Sequence, residues 1–336
     1  MKKKLFYLLW LAIPLVSCEK GGGIPDTPIN PPIHPKTNND TLAWNNLQSS
    51  TWDRDTDFFI GTKYANVRNR GMDNDPYIYV GGIYPEKTFL SYFDKEIPDS
   101  INPIDITFNF GLLNPYSETK SRMGRMSYLK ILKRALQSKE YNRFIKTRGN
   151  QPHRARMAEI KSYEDIEKAF PDNIRFGKTI KEIVAQAYGE KHKNLSIGEV
   201  VFKNFTVSME APANGIFKNI HRKDSIDNPV YIRSITYGSV AYFIIESEHA
   251  YEDVFNAFRG IKNTFKDSYS QTEGILHNSK IILFTISDVS QETRKRTTFE
   301  DLEKYMENPY YNTDIYGYPI YCTGYYAKDN SIFRKK

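Results

Sequence analysis

The chain has 336 residues, and its 47 Lys and Arg against 40 Asp and Glu leave a formal charge of +7. That excess is too mild to imply a nucleic-acid partner without a clustered basic face. With only two cysteines, Cys18 and Cys322, and the first of them in a leader-like context, no intramolecular disulfide is expected and stability must come from a core.

Residues 1–17 read as an export signal. Lys2-Lys3-Lys4 give a basic start and residues 5–15 an apolar run too short to span a bilayer as a stable helix; Leu15-Val16-Ser17-Cys18 is a lipobox. Cys18 is therefore expected to be the acylated first residue of an exported lipoprotein. The expected site is the outer membrane, its periplasmic or surface face left open. Loss of the three lysines lowers the charge to about +4. Residues 18–41 hold Gly21-Gly22-Gly23 and Pro25, Pro28, Pro31, Pro32 and Pro35, a composition that cannot bury a core and reads as an extended tether.

Residues 42–160 are expected to be the first part of an α+β core. Strands are predicted over 57–64, 77–84 and 104–110. An amphipathic helix follows over 121–146, with Met126, Leu129, Leu132 and Leu136 facing the core and its Arg and Lys facing solvent. Residues 161–336 form the second part. Ser162-Tyr163-Glu164-Asp165 caps a helix in which Ile166, Ala169 and Phe170 share a face, and Ile180, Ile183, Val184 and Ala187 repeat the pattern. Val254, Phe255, Phe258, Ile261 and Phe265 do so again. Between these helices, residues 230–235 and 240–245 are rich in β-branched and aromatic side chains. A glycine between them, Gly238, admits backbone conformations costly to other residues, which predicts two strands meeting at a tight bend. On its own that segment fits an ordinary buried hairpin of any α+β domain.

Taken together, several stretches resemble one family. They are Tyr237-Gly238 with Tyr242 and Glu246; the strand from Val201 to the Ala211-Pro212 pair; Arg154-Ala155-Arg156-Met157 with Tyr163 and Phe170; and Tyr318-Pro319-Ile320-Tyr321 leading to Lys328-Asp329-Asn330. In order and spacing, from about residue 77 to 333, the chain resembles the cholesterol-dependent (thiol-activated) cytolysins. Ser239 and Ile244 stand where that family has Arg and Lys. The resemblance implies an α+β fold with a bent, twisted antiparallel sheet flanked by helical clusters. It also implies a pore-forming or pore-assembly component, working as a homo-oligomer or with a longer cytolysin-like partner. The alternative is a non-lytic lipoprotein that uses the same fold as an inhibitor or adhesion module. The family's Trp-rich, cholesterol-recognising domain finds no counterpart before Lys336, so direct cholesterol binding is not expected.

The resemblance also marks two candidate membrane-hairpin segments, about 166–205 and 254–287. Read with the period of two that membrane strands require, Phe176, Ile180, Val184 and Tyr188 share a face, but Lys178, Glu182 and Gln186 interrupt it. Ile261, Phe265, Tyr269 and Ile275 are likewise interrupted by Asn263, Asp267, Gln271 and Glu273. Enzyme chemistry has little footing. His34, His153, His192, His221, His249 and His277 are scattered and no phosphate-binding glycine loop or nucleophile elbow occurs, so no catalytic residue, metal or cofactor is expected.

Overall fold

Two long strands, β7 (Asn194–Met209) and β8 (Pro229–Ser247), organise the molecule in the computed structural model. It describes residues 42–47, 56–63, 65, 78–91, 93, 95–148, 154–188, 193–219, 221, 227–263, 274–286, 293–296, 298–310 and 316–334. β7 and β8 pair antiparallel from Asn194↔Ser247 to Ser208↔Ser234, and every other strand adds to them antiparallel. Along β7, the edge away from β8 is shared by β6 (Arg154–Ile160), against residues 195–201, and β4 (Ile104–Asn109), against 206–209. Along β8, β9 (Lys280–Ile286) takes residues 240–246 and β11 (Tyr318–Tyr326) takes 230–238 on the same edge in succession. One sheet therefore has two halves threaded by the same two strands. Short strands finish it: β1 (Asn45–Asn46) on β6, β2 (Phe58–Phe59) on β11, β3 (Ile83–Pro85) on β8, β5 (Tyr116–Ser121) on β4 and β10 (Thr293–Arg296) on β9.

The burial pattern of β7 shows how the halves differ. Its first nine residues are all buried, so both faces are covered; from Lys203 onward burial alternates, one face in and one out. In the alternating half the outer face carries hydroxyl pairs, Thr206 with Thr236 and Ser234 with Thr323. The inner face packs under α1 (Arg125–Leu136) and α2 (Lys139–Thr147). In the doubly covered half, α3 (Asp165–Lys168) and α4 (Ile174–Tyr188) lie on one face. α5 (Tyr251–Asn263) and α6 (Phe299–Glu307) lie on the other.

The strands expected over 57–64 and 77–84 shorten to Phe58–Phe59 and Ile83–Pro85, and three further expectations are corrected. The segment over 121–146 is two helices, because Ser138 Oγ accepts the Tyr141 N–H and caps a second start. The buried stripe of α1 is Tyr128, Ile131, Leu132 and Ala135; Met126 and Leu129 face solvent, the aromatic body of Tyr128 having claimed the core position. Most consequential, the stretch around Gly238 is one unbroken strand and not two meeting at a tight bend. Gly238 is a close-approach glycine: a Cβ there would lie 2.1 Å from the Phe202 carbonyl oxygen, and one on Gly317, whose φ is +90°, would lie 2.3 Å from the Gly238 oxygen. Both neighbouring strands shift register beside it, β7 between Lys203 and Phe205 and β11 between Pro319 and Tyr321. The irregularity expected within β8 is carried by its partners, as bulges that bend them.

Candidate functional site

In the doubly covered half, the candidate hairpin segments contain α3 and α4 ahead of β7, and α5 ahead of β9. α4 starts at Asn173, whose Oδ1 accepts the Phe176 N–H at 3.0 Å while its Nδ2 donates to the carbonyls of Thr62 (2.7 Å) and Ala65 (3.0 Å). One side chain caps the helix and ties it to the 62–65 turn. α3 is begun by Asp165, whose Oδ2 accepts the Lys161 and Ser162 N–H groups at 3.1 Å; the Lys168 ammonium, 2.7 Å away, is the main force holding its carboxyl low. Phe176, Ile180 and Val184 are all at most 1% exposed and Tyr188 is half-buried, its hydroxyl donating to the Ile244 carbonyl at 3.2 Å. Lys178, Glu182 and Gln186 are exposed. The reason is angular: residues four apart share a helix face, whereas residues two apart lie on opposite sides of a helix but on the same face of a strand.

Beneath this cover is a buried ion cluster. Arg156, Glu199 and Tyr242 are successive register partners across β6, β7 and β8. Glu199, 1% exposed, accepts from Arg156 Nε (2.8 Å) and Nη2 (3.1 Å) and from the Tyr242 hydroxyl (2.9 Å), and the Arg154 guanidinium pairs with it at 2.7 Å. Burial alone would raise the Glu199 carboxyl; the Arg154 and Arg156 charges outweigh it and hold it at about 2. Burial, then the Glu199 charge, push the Tyr242 hydroxyl well above its ordinary value, so it stays a donor. The Phe170 and Phe176 rings of the helical cover pack edge-on against Tyr242, at 4.7 and 6.2 Å. Arg154 in turn lies over the Phe59 ring at 4.3 Å, and Arg156 over Trp44 at 4.2 Å.

The opposite face is apolar. Phe258 of α5 stacks on Phe243 of β8 with centroids 4.8 Å apart and planes 8° apart, and Gly198 lies across the ladder from Phe243. A Cβ on Gly198 would sit 1.8 Å from the Phe243 ring, so the glycine makes the slot that the stack occupies. Val254 and Ala257 complete the contact, and Phe299, Leu302 and Tyr305 of α6 extend it. Tyr305 shares a hydroxyl hydrogen bond with Ser239, next to the Gly238–Gly317 approach.

The predicted motif residues are thus separated by face and by half. Tyr237 lies in the α1–α2 half, stacked on Phe205 at 5.0 Å with its hydroxyl 3.0 Å from that of Tyr128. Tyr242 and Glu246 face α4. Glu246 is 5% exposed with the Lys280 ammonium at 3.4 Å. Ile275 is half-buried; Ile261 is described only as helical backbone; Cys18, Phe265 and Tyr269 lie outside the described residues. Cys322 is a buried free thiol whose pKa burial raises, and among the described residues no cluster of metal-ligating side chains occurs. The Glu199 cluster was not found from sequence as a site. Its local signals are a Glu directly before the apolar run Val200-Val201-Phe202 and two Arg, Arg154 and Arg156, at a spacing of two in a strand.

No protein-family model and no curated protein matches the sequence. Solved structures do. Suilysin from Streptococcus suis matches with a TM-score of 0.60 at 18% identity, over 87% of this chain and 62% of its own. The human-specific toxin intermedilysin matches with 0.58 at 18%, over 78% and 59%. Pneumolysin matches with 0.57 at 19%, over 83% and 60%. The chain spans about 60% of the length of the toxins it matches. These toxins are cholesterol-dependent cytolysins, and the curled antiparallel sheet with its helical covers is the fold they share with this chain.

Proposed function

We propose that the chain is a pore-assembly component of the cytolysin type, in which the two helical covers are the parts that rearrange. The supporting observation is their place in the chain. Residues 161–193, with α3 and α4, connect β6 to β7; residues 248–279, with α5, connect β8 to β9; and each of these strand pairs is an antiparallel neighbour. An antiparallel pair needs only about 2–5 residues to turn. Each connection instead holds enough chain for two further strand arms of about 15 residues, against the roughly 9–11 that a tilted membrane strand requires. The covers pack on opposite faces, so the departure of one does not wait on the other.

The exposed charges of α4 define the form of the assembly. Unfurled, Lys178 and Glu182 would share a strand face with Phe176 and Ile180, and a lipid-facing Lys at the midplane costs about 2–4 kcal/mol. Insertion of that segment alone is therefore unfavourable, and the proposal is for joint assembly, with further copies or a longer cytolysin-like partner. In the same reading Cys18 carries the acyl anchor that keeps the chain at a membrane, taken to be the outer one.

The test uses the full chain on liposomes with a cysteine pair that pins α5 to β8. A disulfide of suitable geometry stops the helix leaving its packing site. Dye release and ring-shaped oligomers should be blocked when the pair is oxidised and restored on reduction. Leakage that ignores the cross-link, or none from the reduced protein with any partner tried, would sink the reading.

A further inference from the structure

The outer edge of β6 is held by a strip of the chain's own N-terminal region. Asn45 and Asn46 pair with Met157 and Arg156, and the Leu47 N–H donates to the Ala155 carbonyl at 3.0 Å. This ladder is short: β1 has 2 residues against the 7 of β6, and Asn45 and Asn46 are exposed. Yet the strip grips both faces of the sheet. On the α4 face, Leu42 and Trp44 pack against the core, and the Trp44 ring covers Arg156, the bidentate partner of Glu199. On the α5 face, Leu47 is buried, and Asn45 Nδ2 donates to the hydroxyl of Tyr251 at 3.0 Å. Tyr251 is the first residue of α5, and its own hydroxyl hydrogen goes to the Met157 carbonyl at 3.2 Å.

One strip thus touches the buried ion cluster, the start of α5 and the backbone edge between them. We propose that residues 42–47 are a displaceable strap. Seated, they cap the β6 edge and restrain both helical covers; lifted, they bare the N–H and C=O groups to which another strand adds, and loosen the two covers together. The strap is the first described segment of the chain, and in sequence it follows the Pro- and Gly-rich stretch of residues 21–35. The strap deepens the assembly reading by naming what holds the covers shut, and it rests on that reading only for what the opened edge is for.

Hydrogen exchange on the full-length chain tests it. A Trp44→Ala, Asn45→Ala double variant removes the ring over Arg156 and the bond to Tyr251 while leaving the residues of β6, α4 and α5 intact. Amides of 154–160, 174–188 and 251–263 should exchange about tenfold faster or more, with 104–121 unchanged. Unchanged rates at 154–160 and 251–263, or an equal rise at 104–121, would overturn the strap, the first showing no restraint and the second only general destabilisation. A second variant, Asn45→Cys with Met157→Cys, joins register partners on the α5 face and fixes the strap. Oxidised, it should slow exchange at 154–160 and block leakage until reduced. Leakage from the pinned form would overturn the strap and leave the pore proposal standing. The expected exchange pattern with no leakage from any variant would do the reverse.

Discussion

The two covers of one sheet are attached by different chemistry. The α3–α4 cover is tied by directional bonds, Asn173 to the 62–65 turn and Tyr188 to β8, above the charged cluster of Glu199, and an ion pair from Lys181 to Glu167 joins its two helices. The α5 cover rests on shape, a flat aromatic stack in a slot opened by Gly198, with the Tyr251 hydroxyl donating to the Met157 carbonyl as a polar link to the sheet. Directional bonds fix one geometry and cost desolvation when broken, whereas stacking is area-dependent and yields more evenly. The α5 side is therefore expected to release first.

The largest effect that would sharpen this contrast comes from Glu199. Glu199→Ala leaves the buried Arg154 and the partly buried Arg156 without the carboxylate they share, and removing one partner of a buried ion cluster costs about 3–5 kcal/mol. The loss should appear in chemical denaturation and as faster exchange in α4. Next comes Phe258→Ala, which empties the stack on Phe243 for about 3 kcal/mol and should free α5 while α4 keeps its protection. Equal loosening of both helices by either change would break the comparison, since the covers would then be one cooperative unit.

Much of the α4 cover was legible in the sequence because its code is local. Phe176, Ile180 and Val184 repeat every four residues, and the charges between them fall on the far side of a helix. β8 was legible as strand, but Gly238 was not legible as a packing glycine, because the atoms that forbid a Cβ belong to Phe202 and Ile320. Gly198 is hidden for the same reason, its meaning fixed by a ring on the next strand. Glu199 lies in an apolar run and makes sense only beside β6, where register places Arg156. Position along a chain shows periodicity; it does not show which strand lies alongside.

A pH titration separates the two covers with an effect of up to about 3 kcal/mol. Glu199 has its folded pKa lowered to about 2 from an ordinary 4.5, with burial opposing and the two arginines prevailing. Its contribution is therefore present in full above the unfolded value and is lost as pH falls from about 4.5 toward 2. Acidification through that window should weaken α4 before α5, and Glu199→Gln should flatten the dependence. If α5 loosens first on acidification, the charged cluster is not what holds the α4 side.

The smallest effect falls on Asn173, and it separates cap from tie. Asn173→Ala loses the N-cap of α4 together with the donors to Thr62 and Ala65, for about 1–2 kcal/mol. Asn173→Ser keeps a hydroxyl for the Phe176 N–H but cannot reach both carbonyls, so it should recover about half of that loss. In both variants exchange should rise in the first turns of α4 and leave α5 unchanged, because no bond of Asn173 crosses to the other face. Full recovery by Ser would show the tie to the turn to be idle, and the α4 cover would then be held by its apolar face and the Glu199 cluster alone. No recovery would give the tie the whole effect, and would place the first opening of this cover at the 62–65 turn.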